Sequence, residues 1–185
     1  GPANPVAVGK VRKSLTPLYR RWIEASRFCV LSTVGPEGSD GSPRGDDGPV
    51  VRIQDARTLM MPDWRGNNRT DSLRNIVRDG RVSLMFMVTG LTSVVRVNGT
   101  AVLSVDRDVT ASFAQNGKHP RSVIVISIDE LYMQCAKALL RSRLWDLPKV
   151  EGLPSAGDLL QEALPEFDGS AYDASYVDGA KAKMW

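Results

Sequence analysis

The chain has 185 residues, 42% of them hydrophobic and 24% charged, with a formal net charge of +3. That composition suits one globular domain with small appendages, long enough to bury roughly 70% of its unfolded surface without a disulfide or metal staple. The charge is too small to indicate a nucleic-acid or membrane partner, and no apolar run reaches the length of a membrane span.

Residues 6–13 are too short and too polar for the apolar core of a signal peptide, so the expected address is the cytoplasm. Residues 10–26 carry Val11, Leu15, Leu18, Trp22 and Ile23 on one helical face, with Thr16-Pro17 opening the helix proper. Residues 28–34 read as a buried strand, 35–38 as a tight turn and 39–46 as a returning strand. Two more strands are expected at 50–53 and 58–62. The polar run 63–71 then leads into a helix through Leu73, Ile76 and Val77, with Asn67 or Asn68 as N-cap and Asp79-Gly80 as its end. Strands follow at 82–88 and 94–105, the second with a bulge at Asn98-Gly99. Asp106 caps a short helix, 122–128 runs as the last strand towards Met133, and one or two helical turns lie at 158–164.

Short meandering strands with few helices point to a mainly β fold, an antiparallel barrel rather than a parallel sheet. The expected organisation is a helical arm over 1–27, a domain over 28–146 and a C-terminal arm over 147–185 packed on the domain. Cys29 and Cys135 each sit in an apolar run and are expected as buried free thiols in a reducing compartment.

Several chemistries are disfavoured. The single histidine, His119, lies in the polar loop 116–120, a poor place for a catalytic triad. There is no CxxC, HExxH or histidine cluster for a metal, no Gly-x-Gly-x-x-Gly and no P-loop. Aromatic and basic residues do not alternate as in a nucleic-acid platform.

Three stretches remain as candidate sites. Arg65-Gly66-Asn67-Asn68-Arg69 at a helix start offers backbone N–H groups, guanidinium groups and amides to a phosphomonoester; a solvated helix cap is the bland alternative. Ser42-Pro43-Arg44-Gly45-Asp46 carries a proline that marks an edge strand or bulge, or simply a turn with a surface Arg–Asp pair. Lys137, Arg141 and Trp145 share one face if 134–146 is helical, which suits either a flat anionic ligand or an amphipathic helix anchored by Trp145.

In order, Phe28-Cys-Val-Leu-Ser-Thr, Ser42-Pro-Arg-Gly-Asp, Arg65-Gly-Asn-Asn-Arg-x-Asp-Ser-Leu73, Arg96-Val-Asn-Gly99 and Cys135-Ala-Lys-Ala-Leu-x-Arg-Ser-x-Leu-Trp145 resemble the pyridoxamine 5′-phosphate oxidase-like flavin mononucleotide (FMN)-binding proteins. The resemblance runs from about Leu15 to Asp146 and is nearest to the subgroup of unknown substrate. It implies a six-stranded antiparallel split barrel that forms a homodimer with FMN between subunits. By that analogy Arg65, Asn67, Asn68, Arg69 and Ser72 hold the phosphate, and Ser42, Pro43, Arg44 and Gly45 line the ring. Lys137, Arg141, Ser142 and Trp145 would reach in from the partner subunit. The family's oxidases carry an Arg-x-His motif near the C-terminus; here the comparable stretch reads Arg141-Ser-Arg-Leu-Trp-Asp, which argues against oxidation of pyridoxamine phosphate itself. The expected function is an FMN-dependent oxidoreductase of unknown substrate. The alternatives are a flavin or haem carrier or sensor, a reductase using deazaflavin F420 on the same fold, and an arginine-rich module without cofactor.

Overall fold

The structure is a computed structural model and describes residues 1–2 and 4–184. Seven strands are described: β1 (Phe28–Gly35), β2 (Gly38–Gly45), β3 (Arg52–Ile53), β4 (Thr58–Pro62), β5 (Arg81–Met87), β6 (Val94–Ser104) and β7 (Val123–Gln134). They make one antiparallel sheet in the order β2-β1-β5-β6-β7-β4-β3. The helices are α1 (Pro5–Gly9), α2 (Pro17–Glu24), α3 (Asp71–Arg78), α4 (Arg107–Ala111), α5 (Lys137–Ser142), α6 (Ala156–Ala163) and α7 (Gly169–Lys181).

Residue alternation sets which face each strand buries. On β1 Cys29 and Leu31 point inward, on β5 Val82, Leu84 and Phe86, and on β7 Ile124, Ile126 and Ile128; all are buried. Each such aliphatic or aromatic side chain contributes about 1.5–3 kcal/mol when fully buried. Helix α2 starts where Thr16 Oγ1 accepts from Tyr19 N–H, with Pro17 at the first helical position, and drives Ile23 into the core. Leu18, expected on the buried face, is instead exposed.

The strand expected at 50–53 pairs only over Arg52–Ile53, because the Val50 N–H donates to the Ser26 carbonyl rather than to a neighbouring ladder. With this short β3 the sheet has the seven strands read along the chain, one more than the six the family resemblance implies. The bulge at Asn98-Gly99 is present: Asn98 faces Glu130 while Gly99 faces Ile128. A Cβ on Gly99 would sit 2.0 Å from the Ser127 carbonyl oxygen, so only glycine fits this approach of β6 to β7. Cys29 is buried as expected, whereas Cys135 is exposed, because β7 has left the core by the time the chain reaches it.

The two ends of the sheet meet without a backbone ladder. Arg44 on β2 and Asp63, just past β4, form an ion pair at 2.8 Å with each side chain only 20% exposed. Beside it the Asp46 carboxylate accepts from Trp64 Nε1 at 2.8 Å and from Gln115 Nε2 at 3.2 Å. Side chains therefore bridge the seam that backbone pairing would close in a complete barrel, and the fold is a split barrel. No helix among the described residues is long and apolar enough to cross a membrane.

Candidate functional site

The cleft beside this seam has a volume of about 910 Å³ and draws its walls from β2, the 63–70 segment, the 118–121 segment and Tyr176 of α7. That size falls within the roughly 300–1,000 Å³ of small-molecule sites. Five cationic side chains line it (Arg44, Arg65, Arg69, Lys118 and Arg121) against one acid, Asp63, which is already paired with Arg44. Such an excess focuses positive potential into the cleft and favours an anionic ligand.

Edge strand β2 presents Asp40, Ser42 and Arg44 on its half-buried face, and Pro43 costs no ladder bond at the sheet's edge. Asp40 Oδ2 accepts from Ser72 Oγ at 2.6 Å and from Ser42 Oγ at 3.0 Å, tying β2 to the first turn of α3. Two of the three candidate stretches are thereby brought together: Ser42, Pro43, Arg44, Arg65, Asn67, Asn68 and Arg69 all line the cleft. Gly45 lies one residue further along β2, beside a smaller pocket shared with Arg65 and Gly66. Ser72 is buried, its hydroxyl committed to Asp40.

The start of α3 differs from the expected asparagine cap. Asn67 Oδ1 accepts from the Arg69 N–H at 2.9 Å in a local turn, and Asn68 adopts a left-handed backbone (φ +59°), so neither can cap. Thr70 occupies the N-cap position and makes no side-chain cap bond. The first N–H groups of this eight-residue helix thus lack a capping side chain where Thr70 and Leu73 border the cleft. The Arg69 guanidinium leans on Asp71 and holds that carboxyl below the usual carboxylate range. Arg44 Nε is buried and has no hydrogen-bond partner.

The 118–121 segment is a built structure rather than a loose loop. Gln115 and Lys118 form a two-residue hairpin around Asn116 (φ +52°) and Gly117 (φ +74°), and this places Lys118, His119 and Arg121 in the cleft wall. The sequence signal was the Asn-Gly pair itself. Asp40, Trp64 and Tyr176 are the other site residues that sequence reasoning passed over. Among the described residues no cluster of histidine, cysteine and carboxylate side chains is arranged to hold a metal.

The third stretch is placed elsewhere. Helix α5 stops at Ser142 because Arg143 turns left-handed (φ +50°), so Trp145 does not continue the face of Lys137 and Arg141. Trp145 Nε1 instead donates to the Leu91 carbonyl at 2.9 Å. None of Lys137, Arg141, Ser142 or Trp145 is among the residues lining the cleft of its own chain.

The sequence profile of the pyridoxamine 5′-phosphate oxidase family matches residues 15–135. The chain belongs to this family. Similar solved structures agree on the fold of this pyridoxamine 5′-phosphate oxidase family member. The HupZ protein of Group A Streptococcus is 17% identical with a TM-score of 0.53, covering 64% of this chain and 93% of that one. A Lactobacillus delbrueckii protein, named only provisionally as a pyridoxamine 5′-phosphate oxidase, is 21% identical with a TM-score of 0.52, covering 65% and 95%. No curated protein matches the sequence.

Proposed function

We propose that this family member is an FMN-binding oxidoreductase that works as a homodimer in the cytoplasm, with a substrate other than pyridoxamine phosphate. The observation that carries the reading is the uncapped start of α3, set beside Arg65 and Arg69 at one side of a strongly cationic cleft. A phosphomonoester near neutral pH is close to doubly charged and needs several donors together. Free helix N–H groups and two guanidinium groups meet that need, and Gly66 has no neighbour that would keep a ligand from the backbone.

When bound, FMN would supply the redox chemistry through its ring, and the protein would supply binding, orientation and charge. Arg65 and Arg69 would hold the phosphate, and Asn67 and Asn68 would shape the turn that presents their backbone. Ser42 to Gly45 would line the ring. Arg44, fixed by Asp63 and with Nε still unpartnered, would favour negative charge developing on the ring. Because Lys137, Arg141, Ser142 and Trp145 lie away from their own chain's cleft, any contact they make with FMN would reach into a second copy's cleft. Leu140, Leu144 and Leu147, half or more exposed around them, would be covered in such a dimer.

Paired titrations with FMN and riboflavin test the reading. FMN should bind more tightly, and Arg69→Ala should lose affinity for FMN by roughly ten- to a hundredfold while leaving riboflavin unaffected. Equal affinity for the two flavins would show that the cradle does not hold a phosphate.

A further inference from the structure

Beyond the family-matched stretch, the chain builds a two-helix unit with its own internal fit. Ser155 and Asp158 form a reciprocal capping box on α6, and Asp168 caps α7 through the Ala171 N–H. The helices meet at Gly157 and Gly169. A Cβ on Gly157 would lie 2.1 Å from the Gly169 carbonyl oxygen, and one on Gly169 would lie 2.5 Å from that of Gly157. The Gly157 N–H also donates to Asp173 Oδ1 at 2.9 Å. Backbones this close leave no room for slippage, so α7 is held in a set orientation on α6.

An aromatic row runs along that unit. The rings of Phe167 and Tyr172 are 5.6 Å apart and tilted by 58°, and those of Tyr172 and Tyr176 are 5.0 Å apart and stacked at 28°. The row ends at Tyr176, which lines the cationic cleft alongside Pro43 and Leu73 and remains 52% exposed. The cleft's other large aromatic ring, Trp64, is tied to the seam through its bond to Asp46, and a planar ligand ring gains most from an aromatic face on each side of it. Tyr176 is the ring that α7 brings to this lining, and it is stacked on Tyr172.

We propose that Tyr176 is part of the binding site, its ring packing against the planar ring system of the bound flavin, so that the C-terminal hairpin forms a wall of the cleft. The proposal rests on the FMN reading above and extends it to residues outside the family's matched region.

The test uses the full chain with Tyr176→Ala and Tyr176→Phe, titrated with FMN and with riboflavin while flavin fluorescence is followed. A ring contact is indifferent to the phosphate, so Tyr176→Ala should weaken both flavins by the same factor, roughly three- to tenfold. Tyr176→Phe should keep wild-type affinity. Compared in a Trp64→Phe background, which removes the cleft's other electron-donating ring, its bound flavin should nevertheless fluoresce more brightly, because a stacked phenol quenches flavin emission by donating an electron and a phenyl ring does not. That combination is one a merely structural role for Tyr176 would not produce, and it holds even if the alanine variant folds poorly. Unchanged fluorescence in Tyr176→Phe, unchanged affinity in a folded Tyr176→Ala, or a loss confined to FMN would each overturn the proposal. A wild-type chain that binds neither flavin would instead overturn the FMN reading on which it stands.

Discussion

Removing Arg44 tests whether the seam of the split barrel is held by side chains. Its ion pair with Asp63 spans 2.8 Å with both side chains 20% exposed, between the surface and buried limits. Exposed pairs contribute about 0.2–1 kcal/mol, and losing one partner of a fully buried pair costs about 3–5 kcal/mol. For this degree of burial Arg44→Ala should cost about 2 kcal/mol. At about 2–4 °C per kcal/mol for a chain of this size, the melting temperature should fall by roughly 4–8 °C. A double-mutant cycle with Asp63→Ala, read by urea denaturation, should return a coupling of about 1–2 kcal/mol. The Arg27–Asp47 pair, whose side chains are 69% and 84% exposed, is the internal control and should couple by less than about 0.5 kcal/mol. If the Arg44–Asp63 coupling is no larger than the control's, side-chain bridging of the seam is refuted.

Gly99→Ala should destabilise the fold by more than about 2 kcal/mol, since its Cβ would meet the Ser127 carbonyl and not a flexible side chain; an unchanged denaturation midpoint would contradict the described bulge. Burial pushes the Cys29 thiol up to about 12, so at pH 8 a thiol reagent should modify exposed Cys135 and reach Cys29 only on unfolding. With its folded value raised, Cys29 contributes fully to stability below its ordinary value, and that contribution is lost as pH climbs towards 12; in a Cys135→Ser background, Cys29→Ser should flatten this part of the stability profile. For the shared site, mixing an Arg69→Ala subunit with a Lys137→Ala, Arg141→Ala subunit should restore about half of the FMN capacity after subunit exchange; no recovery would place the second set outside the site.

The strands were the most legible part of the chain because a two-residue period is local. Thr58–Pro62 has the bounds that its apolar run implies, and the Asn98-Gly99 bulge is where a glycine inside a strand points. Contacts between distant segments were harder to read. The glycines at 157 and 169 look like helix breakers in sequence, yet each sits where two helices touch, and thirteen-residue α7 went unplaced. Asn68 has a good capping residue's chemistry, but its left-handed backbone moved the start of α3 to Thr70. Asp40 could have been found by parity, sharing a strand face with Ser42 and Arg44, but its tie to Ser72 crosses thirty-two positions of sequence. His119 reads as a loop residue in sequence, and only the Asn116-Gly117 turn fixes its neighbourhood in the cleft wall.

The most direct test is to identify the small molecule that the purified protein carries. The protein should be yellow, release FMN, identified by mass on denaturation, at close to one per chain, and rebind added FMN after the ligand is stripped. Release of haem or deazaflavin F420, or a colourless chain that takes up no added FMN, would contradict the FMN reading.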